Sequence, residues 1–138
     1  METAVQYIGR IHEEFSRHPD IIPIGFCELF SRRVAKRLVQ EGKTPQFLWV
    51  GDRNEEGSIG YIFSSLMYPR SGMAGHSVCC TEGMAYDPLI GRPVPIESYC
   101  NEAFGRDLPM KEETVDLERE KPIDSIFLEL AGITFSID

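Results

Sequence analysis

Three side chains in this sequence could together perform acyl transfer: Cys27, His76 and Asp87. A thiol can serve as nucleophile, an imidazole can take its proton, and a carboxylate can fix the imidazole tautomer and favour its charged form. Cys27 falls in the first turn of a helix expected from about Phe26 to Gln40. The unpaired N–H groups and positive dipole end of a helix start favour a thiolate, and the same N–H groups could stabilise an oxyanion. Cys27 lies three residues before Phe30 and seven before Val34, a spacing that puts its sulfur on the face of the helix's apolar stripe. Gly25, just upstream, permits a tight approach to the helix.

His76 is expected to open a strand, His76 to Thr81, after a loop that contains Gly72 and Gly75. Asp87 ends the returning strand that starts at Met84, and Pro88 stops it. A tight turn at Glu82-Gly83 then brings the imidazole and the carboxylate side by side. By strand alternation His76, Val78 and Cys80 share one face, while Ser77, Cys79 and Thr81 share the other. The apolar pair Val78 and Cys80 suggests that the first face packs on the Cys27 helix. Each of the three residues also has an ordinary reading. Free cysteine is often an inert core residue, an aspartate before proline is often a turn former, and a histidine at a strand start is often a surface or capping residue. It is their order, on these elements, that points to a catalytic set.

The elements that must position these groups follow from hydrophobic periodicity. Val5, Ile8, Ile11 or His12, and Phe15 recur at helical spacing within Thr3 to Arg17, and His18, Pro19 and Asp20 end that segment. Ile21 to Gly25 reads as extended or turn-like, because the residue before Pro23 avoids the helical region. In the second helix Phe30, Val34 and Leu38 recur every fourth residue. Arg32, Arg33, Lys36 and Arg37 are assigned to its wet side, and Gly42 is the stop. Gln46 to Val50 and Gly60 to Met67 read as strands around the polar loop Gly51 to Ser58. Ile96 to Phe104 reads as a short helix, Lys111 to Lys121 as a charged exposed stretch, and Ile126 to Leu130 with Ile133 to Ile137 as a final pair of strands. Helices followed by strands predict an α+β fold, with N-terminal helices packed on an antiparallel sheet.

Composition bounds the possible partners. A chain of 138 residues with 42% hydrophobic and 26% charged residues is expected to form a single domain with its own core. The net charge of −8 argues against nucleic acid and anionic membrane surfaces. No apolar run approaches the roughly 20 residues of a membrane helix, and the N-terminus lacks the apolar block of a signal peptide. The expectation is therefore a cytoplasmic protein, or one exported by a leaderless route, with Cys27, Cys79, Cys80 and Cys100 as free thiols.

The stretches Gly25-Phe26-Cys27-Glu28-Leu29-Phe30, Gly75-His76-Ser77-Val78 and Ala85-Tyr86-Asp87-Pro88-Leu89 resemble the papain-like and transglutaminase-like superfamily of cysteine enzymes. The segment Pro93-Val94-Pro95-Ile96-Glu97-Ser98-Tyr99 is similar to the one that follows the aspartate in compact bacterial papain-fold toxin domains. The resemblance spans about residues 20–104. It implies one papain-like domain over 1–138, with C-terminal strands within 126–137 appended to that core. Carried over by position, Cys27 would be the nucleophile, His76 the general base and acid, and Asp87 the orienting residue. The implied activity is thiol-dependent amide hydrolysis or acyl transfer on a protein or peptide, such as glutamine deamidation or proteolysis by a bacterial effector, with no cofactor and no metal. Many members carry a glutamine upstream of the cysteine as an oxyanion donor, whereas Asp20 to Ile24 offers neither Gln nor Asn.

Two other readings stand beside this one. A non-catalytic binding module could use the same fold. A metal site could draw on His76, Cys79, Cys80 and Cys100, although there is no C-x-x-C pair and adjacent cysteines on a strand point to opposite faces.

Overall fold

The computed structural model describes residues 1–18, 26–53, 59–61, 75–113 and 117. Helix α1 spans Ala4–Arg17 and starts from a capping box, in which the Thr3 hydroxyl accepts from the Gln6 N–H and the Gln6 side chain accepts from the Thr3 N–H. Its buried stripe is Ala4, Tyr7, Ile8, Ile11 and Phe15. Val5, expected on that stripe, is instead 47% exposed, because the stripe is centred on Ala4, Tyr7 and Ile11 and leaves Val5 to one side.

Helix α2 spans Cys27–Gln40 and buries Leu29, Phe30, Val34, Ala35 and Leu38. Its basic residues do not all lie on a wet face. Arg32 is only 2% exposed, and the Arg37 guanidinium lies 4.1 Å from the centre of the Tyr7 ring while bonding Glu2 at 3.0 Å. A helix that packs on both α1 and the sheet has too narrow a solvent face for four long basic side chains.

The strands are β1 (Gln46–Val50), β2 (Asp52–Arg53), β3 (Ile59–Tyr61), β4 (His76–Thr81), β5 (Met84–Tyr86), β6 (Val94–Pro95) and β7 (Met110–Glu113), with helix α3 (Ile96–Phe104) after β6. Five of them form one antiparallel sheet in the order β6-β5-β4-β1-β7, and β2 pairs with β3 separately. The β4–β5 turn has positive φ at Glu82 and Gly83, 52° and 76°, as a two-residue hairpin turn of right-handed strands requires. Gly105, at φ 77°, ends α3 with its N–H on the Asn101 carbonyl.

The fold class is α+β, with three helices and a five-stranded antiparallel sheet among the described residues. One apolar cluster joins α1 and α2 to the sheet through Cys79 and Tyr86. The other joins Val50, Val78, Cys80, Ala85 and Val94 to Tyr99, Cys100, Ala103 and Phe104 of α3. The sheet is thus covered on both faces, and all six residues of β4 are buried. This reverses the expected packing of β4: the Val78 and Cys80 face lies under α3, while α2 covers the face of Ser77 and Cys79. With both faces buried, apolar alternation does not reveal which helix lies on which side.

Within the stretch from Lys111 expected to be charged and exposed, Lys111 and Glu112 are exposed, but Met110–Glu113 form the edge strand β7 against β1. Its charged residues suit an edge, where they discourage further pairing. The expected strands within 126–137, and residues 62–67 of the expected strand from Gly60, lie outside the described residues. All four cysteines are free. No helix among the described residues is long and apolar enough to cross a membrane.

Candidate active site

β4 begins with His76, and the hairpin returns β5 to Asp87 beside it. The His76 Nε2 is 2.8 Å from Asp87 Oδ2, and both residues are buried. Asp87 accepts two further hydrogen bonds. The Tyr99 hydroxyl donates to the same Oδ2 at 2.5 Å, and the Leu89 N–H donates to Oδ1 at 2.9 Å. The Leu89 bond follows from the Asp-Pro-Leu sequence, since an aspartate before a turn readily accepts from the N–H two residues on. The Ile90 and Gly91 N–H groups bond the Asp87 carbonyl at 3.0 and 2.9 Å and close that turn. His12 of α1 secures it from outside, its Nδ1 lying 2.8 Å from the Pro88 carbonyl.

Burial acts on Asp87 to raise its pKa, but the opposing effects of His76, the Tyr99 hydroxyl and the Leu89 N–H hold it below the ordinary aspartate value. Burial alone would lower the pKa of His76. Asp87, through charge and hydrogen bond, and then Cys27, through hydrogen bond and charge, push it up to about 10. With Nε2 committed to Asp87, Nδ1 is the ring nitrogen left for the Cys27 thiol. His76 and Asp87 are thus brought into direct contact, and Cys27 stands near enough for its hydrogen bond and charge to act on the imidazole. Cys27 is half-buried at the start of α2, and the N-cap residue Phe26 provides no side-chain hydrogen bond to the first-turn N–H groups.

Other residues complete the surroundings. The Phe104 ring meets the His76 ring edge-on at 5.8 Å and 75°, and Tyr99 packs on Phe104 at 5.8 Å and 88°. The Trp49 indole lies over Gly75, leaving no room for a Cβ there. On the α2 side, the Ser31 hydroxyl donates to the Ser77 hydroxyl at 3.3 Å, and the Ser77 hydroxyl donates to Glu113. Burial raises the Glu113 pKa, the Ser77 hydrogen bond opposes this, and the charge of Glu28 adds to the rise.

Glu113 has no role in the sequence pattern, because Lys111 to Lys121 reads as charged and exposed. Tyr99 stood in the Pro-then-aromatic stretch after Asp87, so its position was visible although its bond was not. The sole tryptophan, Trp49, carries no signal in the sequence beyond its place in a strand. Gly25 and the segment Asp20 to Ile24, where an upstream oxyanion donor was sought, lie outside the described residues.

Comparison with protein-family models, with curated proteins and with solved structures finds no match. Among the described residues, no group of three or more His, Cys, Asp and Glu side chains is arranged to hold a metal ion. Cys79 and Cys80 belong to opposite apolar clusters, and burial pushes both thiols up, Cys80 to about 12.

Proposed function

We propose that this protein is a thiol-dependent amide hydrolase or acyltransferase with a papain-like core, acting on a protein or peptide. The observation that carries this reading is that one buried imidazole bonds a carboxylate at 2.8 Å, with a thiol at a helix start near enough to act on it. In the proposed cycle His76 Nδ1 takes the thiol proton and the Cys27 sulfur attacks the substrate carbonyl carbon. First-turn N–H groups of α2 stabilise the oxyanion. The C–N bond then breaks, and the amine leaves with the proton held on His76. Water attacks the resulting thioester while His76 takes its proton. The carboxylic product departs as the C–S bond breaks, and His76 returns the proton to sulfur. A second amine in place of water would give acyl transfer.

Glutamine deamidation and peptide cleavage share this cycle and differ only in which amide enters, so both belong to the proposal, as does use by a bacterium as an effector. The chemistry needs no cofactor. The net charge of −8 suits a neutral or basic protein substrate better than a polyanion.

Iodoacetamide alkylation followed by peptide mass spectrometry tests the pairing of Cys27 with His76. Cys27 is expected to react ahead of the buried Cys79, Cys80 and Cys100. Exposure alone could produce that order, so the deciding variant is His76→Ala, which should slow Cys27 alkylation at pH 7 by roughly tenfold or more. Equal rates in the two proteins would defeat the proposal. Turnover of glutamine-containing peptides, read as ammonia release or chain cleavage, should vanish in Cys27→Ala.

A further inference from the structure

We propose that Tyr99 is a positioning residue of this site: its hydroxyl occupies the carboxylate oxygen that His76 Nε2 uses, and by sharing that oxygen it limits how tightly Asp87 holds the imidazole in its charged form. The inference rests on the catalytic reading above.

Tyr99 is fully buried, and its hydroxyl reaches Asp87 Oδ2 at 2.5 Å while His76 Nε2 reaches the same atom at 2.8 Å. The other carboxylate oxygen receives the Leu89 N–H at 2.9 Å. A tyrosine that served only to fill space would need some partner for its hydroxyl, but it would not need the oxygen that faces the imidazole. Two donors on one oxygen divide its charge, so the tyrosine draws off part of the field that stabilises the imidazolium. That matters to a group which must give its proton back as well as take one, since acid–base catalysis suffers when a proton is held too firmly.

The geometry keeps Tyr99 in the donor role. Burial and then the Asp87 charge hold the phenol well above its ordinary pKa, so it stays neutral. The ring is fixed by Phe104, which also walls the imidazole, so α3 supplies both the donor and the wall. The titratable groups around the pair are Cys80 from β4, Cys100 from α3 beside Tyr99, Cys27 from α2 and Glu113 from β7. Only Tyr99 and His76 hydrogen-bond Asp87 through side chains among the described residues.

The test follows His76 by imidazole NMR across pH in the full chain. A Cys27→Ala background removes the thiol beside the ring, and the His76 signal is assigned apart from those of His12 and His18 by His12→Gln and His18→Gln variants. Tyr99→Phe keeps the ring and deletes only the hydroxyl. It should move the His76 titration upward by roughly half a unit to one unit. Replacing Tyr99 with 3-fluorotyrosine, a near-isosteric and stronger donor, should move it downward, and this variant keeps the test decisive if the phenylalanine variant folds poorly. An unchanged or lowered titration in folded Tyr99→Phe, or an unchanged or raised one with fluorotyrosine, would overturn the inference. The readout needs no turnover, so a failure of the catalytic reading, seen as turnover surviving Cys27→Ala, is distinguishable from a failure of this one.

Discussion

A single methyl group at Gly75 should disturb both the fold and the site. A Cβ built there would lie 1.9 Å from Trp49 Cζ2, 2.3 Å from Cε2 and 2.8 Å from Cη2. Ordinary carbon contacts lie near 3.5 Å, so ring and backbone must separate by about 1.6 Å. Gly75 is not in the left-handed region of φ, so the clash with Trp49 is the whole of the penalty. The main chain of Trp49 has little room to yield. β1 is an interior strand, and Trp49 is held in register with Ser77 on one side and Lys111 on the other. The start of β4, which carries His76, is the part left to move.

Overpacking of this kind costs about 1–3 kcal/mol. Displacement of a reacting group by about 1 Å can cost on the order of 100-fold in rate. Gly75→Ala should therefore lower the urea midpoint at unchanged slope, and it should slow Cys27 alkylation in the remaining folded protein. The cause is isolated by Trp49→Ala. This variant loses packing of its own, but in its background the added methyl should cost less than about 0.5 kcal/mol, because the obstructing ring is gone. A loss from Gly75→Ala that is equal in both backgrounds would refute the steric argument.

The His76–Asp87 pair makes stability depend on pH with opposite signs at the two ends. His76 rises from 6.5 to about 10 on folding, under burial that opposes the rise and the Asp87 and Cys27 interactions that win. Its contribution is therefore complete below about 6.5 and is lost as pH climbs through about 10. Asp87 is lowered from 3.8, so its contribution is complete above 3.8 and is lost as pH falls through its lower native value. Urea midpoints of wild type relative to His76→Gln should show the advantage greatest between these limits and shrinking from pH 6.5 to 10, whereas a constant difference across that window would contradict the pairing. Arg32→Met should leave stability unchanged or raise it, because Arg32 Nε and Nη2 have no hydrogen-bond partner among the described residues and Nη1 stands 4.0 Å from Glu28. A drop of more than about 1 kcal/mol in urea unfolding would show that the buried guanidinium contributes to stability.

Local signals in the sequence made much of this fold legible. The four-residue spacing of Phe30, Val34 and Leu38 located α2, Glu82-Gly83 located the hairpin, and Gly105 lies just past a helix read from Ile96 to Phe104. What was missed depends on neighbours distant in sequence. Lys111 to Glu113 carries charged residues and no strand pattern of its own, and it pairs because β1 offers it an open edge. Val94–Pro95 is too short to read as a strand and is set by pairing with Met84 and Ala85. Arg32 looked solvated because a helical pattern reports one buried face, and α2 is covered on more than one side.

The misassigned face of β4 explains why the candidate site was legible even so. His76 belongs to the face that α3 covers, and Cys27 to a helix on the other side of the sheet, which as a matter of faces should keep them apart. They can approach because each stands at the end of its element: Cys27 is the first residue of α2 and His76 the first of β4, while Asp87 directly follows β5. At a sheet's end a side chain is not confined to one face, and it is there that helix starts and hairpin ends converge. End positions are written locally, by caps, turns and prolines, whereas face assignments depend on the whole packing. A set of candidate residues defined by three ends can therefore be proposed from sequence alone, while Tyr99, in mid-helix and reaching Asp87 from the far layer, required the structure.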